Sequence, residues 1–227
     1  MMVRVSLRNA TCFLGTLLAI TLTGCAASGA QPPVPLTIYS SSAAYPWLSN
    51  AYGCVPPSAG IVLAERADAA LELRLGEPEA LVDPVFQVGM DDLLVIAHPQ
   101  AGIGSLTPSQ AEALFTGQFS NWSEVGGTDQ AVQVWSFAPT VDIQEYFSRM
   151  VLHGRPVSSL ARLAVSAQKM SDSVGAVPGS IGLLPRRWKA GNTDEVLMVA
   201  SVPVLAIART APQGPLADLL SCMQAHQ

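Results

Sequence analysis

The run from Leu106 to Gly127, LTPSQAEALFTGQFSNWSEVGG, constrains the fold more than any other stretch of the chain. Thr107 can cap a helix N-terminus. Pro108 takes the first helical position, where a missing N–H costs nothing, and Gln110 stands where a reciprocal capping contact forms. Ala111, Leu114 and Phe115 share one face of the helix this predicts, and Gly117 stops it. Phe119, Trp122 and Val125 then supply apolar anchors, with Gly126-Gly127 as a turn. Local chemistry alone predicts a short capped helix followed by a packed turn.

Of the 227 residues, 49% are hydrophobic and 13% charged, with 18 Gly and 17 Pro, which suits one body of one or two small domains with a real core. So low a charge, with no repeats, argues against a disordered chain.

The N-terminus is expected to be an address. Arg4 and Arg8 form a positive region, and Cys12 to Leu22 is an apolar stretch too short to span a bilayer. Leu22-Thr23-Gly24-Cys25 resembles the bacterial lipobox, in which the cysteine is lipidated and becomes the mature first residue. The alternative is an ordinary secretory signal with an incidental cysteine. The lipobox implies a signal peptide over 1–24 and a lipidated Cys25 with a flexible, Pro-rich tether over 25–35. The protein would then be extracytoplasmic, anchored to a bacterial membrane by that lipid. Losing Arg4 and Arg8 leaves 10 of the 12 basic residues against 17 acidic ones, a net charge of −7. An acidic body without a basic cluster argues against nucleic acid as a partner. It does not exclude an anionic ligand, because such sites are built locally from N–H groups and hydroxyls.

Cys12 leaves with the signal and Cys25 is committed to lipid, which leaves Cys54 and Cys222. In an oxidising compartment two remaining cysteines suggest a disulfide, worth roughly 4–5 kcal/mol in a chain-entropy treatment. Two separate buried thiols are the alternative.

Leu106-Thr107, Leu114-Phe115-Thr116-Gly117 and Asn121-Trp122-Ser123-Glu124-Val125-Gly126-Gly127 resemble the signature of the phosphate-binding proteins of bacterial ABC importers and their relatives, the type II periplasmic-binding-protein-like domains. Pro178-Gly179-Ser180-Ile181-Gly182-Leu183-Leu184-Pro185 resembles the same family's return crossover between lobes. The resemblance implies an α/β fold of two small lobes joined by two crossover strands, with a ligand cleft between them. Lobe 1 would comprise 36–97 plus 181–227, and lobe 2 would comprise 98–180. In that fold the C-terminal segment returns to the first lobe, which suits a Cys54–Cys222 pairing.

Along the chain, Leu36 to Tyr39 predicts a first strand, and Ser40-Ser41-Ser42 follows before a helix face of Ala44, Tyr45, Trp47 and Leu48. Hydroxyls and N–H groups at a helix start make an anion site, and the resembled family holds its ligand with this loop. Serines before a helix are also ordinary caps. Ile61 to Leu63 and Ala69 to Leu75 are the next apolar pieces. Arg74 could meet a carboxylate or phosphate with two donors, or pair at the surface with Glu72 or Glu77. Where the family has a serine this chain has Leu73, which removes a hydroxyl. Phe86 to Val88 and Leu93 to Ala97 follow, the latter ending in His98, which is expected to be structural.

Ala131 to Trp135 predicts a strand leading into Ser136 to Asp142, where the family carries a glycine-containing loop that donates N–H groups to its ligand. Here the loop has no glycine and Pro139 deletes a donor. Ser136 and Thr140 remain candidate contacts, and Asp142 could cap the next helix or repel an anion. Ile143, Tyr146, Phe147 and Met150 form a helix face. A further helix is expected over about 157–167. Arg186-Arg187-Trp188-Lys189 is one short basic turn, Val196 to Ala208 a core strand, and Leu216 to Met223 a closing helix.

No nucleophile-elbow, zincin, Walker A or dinucleotide-binding motif occurs, and His98, His153 and His226 lack metal-ligand spacing. The expectation is therefore a protein that is not an enzyme, with no catalytic residues, metal or cofactor. It would be a monomeric solute-binding lipoprotein handing a phosphate-like anion to an ABC-importer permease, with Ser40, Ser41, Ser42 and Arg74 acting from one lobe and Ser136 and Thr140 from the other. The other class of function is an extracytoplasmic sensor or interaction module that no longer serves transport.

Overall fold

The computed structural model describes residues 32–226. The signal over 1–24, Cys25 and the tether as far as residue 31 lie outside the described residues. The tether expected to reach Pro35 ends sooner, because Val34 already pairs in the first strand.

The strands β1 (Val34–Ser40), β2 (Ala59–Leu63), β3 (Leu71–Leu75), β4 (Val85–Ala97), β5 (Gln133–Ser136), β6 (Arg162–Leu163), β7 (Ser180–Pro185) and β8 (Asp194–Ala208) form one eight-stranded order, β2-β1-β3-β8-β4-β7-β5-β6. The helices are α1 (Leu48–Cys54), α2 (Pro108–Thr116), α3 (Asp142–Met150), α4 (Ala167–Ala176) and α5 (Pro215–Ala225). Two parallel blocks, β2-β1-β3 and β7-β5-β6, flank the long antiparallel pair β4 and β8.

Register positions the site. Leu75, at the carboxyl end of β3, sits opposite Val204, and Pro185, at the carboxyl end of β7, sits opposite Leu93. Both positions lie near the middle of the long strands, so the carboxyl ends of the two blocks run toward each other. Ligands of open α/β sheets bind at such ends. Helix α3 contacts both β3 and β7 and so bridges the blocks.

The opening run folds as its local chemistry dictates. Thr107 and Gln110 form the reciprocal capping box of α2, and Gly117 ends it in the left-handed conformation at φ 78°. Asn121 and Glu124 form a second capping box on the 3-10 turn that follows. Trp122 is fully buried, and its indole N–H donates to the Gly179 carbonyl at 2.9 Å, tying the turn to the start of β7. Phe115 meets Phe147 edge-on at 4.7 Å, so α2 and α3 share one core.

Cys54 on α1 and Cys222 on α5 form a disulfide with a Cα–Cα distance of 5.5 Å, stapling the last helix to the first. His98 accepts from the Gln100 N–H at 3.1 Å and caps a 3-10 turn. The short basic turn is spent internally. Arg186 pairs with Asp92 and Glu195, and the Arg187 guanidinium lies 3.8 Å over the Trp47 ring.

The helix expected over 157–167 does not form. Pro156 precedes the segment, the Ser158 N–H donates to the Phe115 carbonyl, and the Ser158 hydroxyl takes the Leu160 N–H in a local turn. The short strand β6 then pairs with β5, and the next helix starts ten residues later, where Ser166 caps α4 by accepting the Lys169 N–H. Phe86 to Val88 and Leu93 to Ala97 belong to a single strand, β4, whose register shifts against β8. Among the described residues, no helix is long and apolar enough to cross a membrane.

Candidate functional site

A cavity of about 330 Å³ opens between the carboxyl ends of β1 and β3 on one side and the start of α3 on the other. Its lining includes Tyr39, Ser41, Ser42, Arg66, Arg74 and Thr140. The alternation of β3 explains the choice from that strand. Leu71, Leu73 and Leu75 enter the core, and Glu72 and Arg74 point the other way, into the cavity. The hydroxyl that Leu73 lacks would therefore have faced the core side of the strand.

Four of the six residues expected to hold a ligand meet here: Ser41, Ser42, Arg74 and Thr140. Two do not. The Ser40 hydroxyl turns back to the Ser41 carbonyl at 3.1 Å. Ser136, paired in register with Leu163, lines a separate and more apolar cavity with Phe137, Val157 and Ala161. The serine loop also differs from expectation. It leads into a 3-10 turn and then the seven-residue α1, neither with a side-chain cap, so the serine loop itself does not open a long helix.

Arg74 is the cationic centre. Its side chain is 4% exposed, one terminal nitrogen donates to Glu145 Oε2 at 3.0 Å, and its Nε–H has no partner among the described residues. A guanidinium is costly to bury and a buried donor costly to leave unpaired, so Arg74 holds unused capacity for an acceptor. The hydroxyls of Ser42 and Thr140 line the same space. Arg66, the second arginine of the cavity, pairs with Glu72 at 2.8 Å, and that bond holds its pKa up. Burial pushes the Tyr39 phenol above its usual value, against the pull of Arg66.

Asp142 was expected either to cap α3 or to repel an anion. The cap position falls to Val141; Asp142 is the first residue of α3, and its carboxylate is buried. Oδ2 accepts from the Ser41 hydroxyl at 2.6 Å and from the Leu75 N–H at 2.8 Å, and Oδ1 accepts from the Ile143 N–H at 2.9 Å. Burial raises its pKa, with the hydrogen bonds from Ser41, Leu75 and Ile143 opposing.

Sequence reasoning missed Tyr39, Arg66, Glu72 and Glu145 as parts of this site. The alternation of Leu71-Glu72-Leu73-Arg74-Leu75 carried a signal for Glu72. No local pattern marks the others.

Comparisons with known proteins identify the fold. The phosphate-binding protein PstS of Bacillus subtilis (strain 168) is 27% identical over 147 residues, covering 64% of this chain and 48% of its own. The chain thus spans about half the length of that curated relative. A phosphate ABC transporter substrate-binding protein from Clostridium perfringens, solved with bound phosphate, superposes with a TM-score of 0.74 at 15% identity, covering 83% of this chain and 92% of that one. An ABC-type phosphate transport receptor from Vibrio cholerae gives 0.64 at 16% identity, covering 84% and 93%. OxyR of Corynebacterium glutamicum also shares the fold, with a TM-score of 0.59 at 14% identity over 85% of this chain and 64% of that one. At such identities the likeness shows the fold alone, and one fold hosts several functions. The description "PBP superfamily domain" matches residues 85–210, more than half of the chain, from the middle of the fold through β8. With its sheet of two facing parallel blocks and a cavity at their carboxyl ends, the chain belongs to the periplasmic-binding-protein (PBP) superfamily.

Proposed function

We propose that this protein is an extracytoplasmic solute-binding lipoprotein that takes a small oxyanion, phosphate first, with sulfate and molybdate behind it, into the cleft beside Arg74. It would deliver that ligand to the permease of an ABC importer. The observation that carries the reading is Arg74, a buried arginine that lines a cavity with Ser42 and Thr140 and whose Nε–H has no partner among the described residues. The names of the Bacillus and Clostridium proteins support phosphate as the ligand to try first.

In this reading residues 36–97 with 181–227 move as one lobe against 98–180, hinging at the two crossovers between them, near 97–98 and 180–181. Closure brings Ser41, Ser42 and Arg74 against Thr140. A lipid on Cys25 tethers a monomer to the membrane that holds the permease.

Arg74→Ala is expected to weaken phosphate binding at least tenfold, a loss of about 1.4 kcal/mol or more, measured by calorimetric titration. Arg74→Lys should recover only part of it, because an ammonium lacks the planar set of donors. Unchanged affinity in a folded Arg74→Ala protein would place the ligand elsewhere.

A further inference from the structure

The donors at the centre of the cleft are already used, and by a group of the protein's own. Asp142 Oδ2 takes the hydroxyl of Ser41, from the loop after β1, and the N–H of Leu75, from the end of β3. Both sit at carboxyl ends of parallel strands, where an oxyanion entering this cleft would look for donors. The carboxylate itself comes from across the cleft, on α3, from a residue that is 5% exposed. Beside it, Glu145, also on α3, takes a terminal nitrogen of Arg74. Two carboxylates of one helix therefore satisfy the hydroxyl, the amide and part of the guanidinium that β1 and β3 present, leaving the Arg74 Nε–H and the hydroxyls of Ser42 and Thr140.

We infer that Asp142 is a built-in competitor for the oxyanion: its carboxylate occupies the Ser41 and Leu75 donors and latches α3 onto the ends of β1 and β3 through protein atoms alone. This inference rests on the oxyanion reading of the cleft. Binding of an anion at these donors requires Asp142 to give them up, so the residue sets the affinity of the site as a specificity and affinity determinant. A carboxylate is matched here because it presents the same oxygen acceptors as a tetrahedral oxyanion and needs donors of the same kind. An ionised Asp142 also repels an incoming anion, so the competition is steric and electrostatic together.

The test compares the wild-type protein with Asp142→Ala and Asp142→Asn, each checked for folding by circular dichroism, by phosphate calorimetry and by hydrogen exchange at Leu75. Asp142→Ala is expected to bind phosphate at least tenfold more tightly than wild type. Asp142→Asn, which keeps an oxygen acceptor and loses the charge, should fall between. Exchange of the Leu75 amide should quicken at least tenfold in Asp142→Ala with no phosphate added. Equal or weaker phosphate binding by Asp142→Ala would overturn the competitor, and weaker binding would make Asp142 a ligand contact while leaving the oxyanion reading standing. Should neither protein bind phosphate, the oxyanion reading fails, and the exchange rate alone decides the latch: faster exchange upholds it and unchanged exchange overturns it.

Discussion

Replacing Cys54 and Cys222 together by serine lowers the unfolding free energy by about 4–5 kcal/mol, enough to remove a large part of the stability of an ordinary domain. The bridge closes a loop of 168 residues, nearly the whole folded body, so its loss releases a denatured ensemble that the native protein holds on a short leash. The link also decides where the last helix goes. α5 packs on α1 and β4, and its Leu219, Leu220 and Met223 are buried, yet it reaches the core from the end of the chain. Urea unfolding followed by circular dichroism measures the effect as a lower midpoint. A loss below about 1 kcal/mol would mean that the reduced chain is held together in its denatured state by other contacts.

Trp122→Ala has an effect of similar size for a different reason. The indole is fully buried in the turn after α2, so truncation leaves a cavity and costs about 3–5 kcal/mol. It also removes the indole N–H bond to the Gly179 carbonyl, which keeps the Gln133 N–H at 3.0 Å as its other donor, so that loss adds only about 0.5–1.5 kcal/mol. The same urea titration reads the loss. Where the variant remains folded, its phosphate affinity should stay within about twofold of wild type, a difference of only a few tenths of a kcal/mol. A selective loss of binding without a loss of stability would contradict this structural role and give the Trp122 region a part in the ligand site.

That separation between fold and ligand runs through the whole chain. The capped helix and the turn after it were legible in the sequence because Thr107, Pro108, Gln110 and Gly117 act on their immediate neighbours. The strands were legible from their apolar runs, and the strand character of Val196 to Ala208 held even across Ser201 and Pro203, where β8 pairs with β4. The segment from Val157 to Ala167 was misleading for a physical reason: its apolar residues suit a helix, but the Ser158 hydroxyl and N–H are both drawn into other bonds. In the cleft, Arg74 could be singled out by its chemistry and its place in a strand. Its partner Glu145 and the partners of Asp142 could not, because those contacts join residues 71, 67 and 101 positions apart. Ser136 shows the converse. Its residue type suits a binding loop, but the pairing of β5 with β6 carries it to another cavity.

The oxyanion reading is tested most directly by calorimetric titration of the purified protein, stripped of bound ligand, with phosphate, sulfate and molybdate in turn. Saturable one-to-one binding of phosphate, tighter than of the other two and weakened in Arg74→Ala, is the predicted result. Silence toward all three anions, from the wild-type protein and from Asp142→Ala alike with the fold intact, would contradict it.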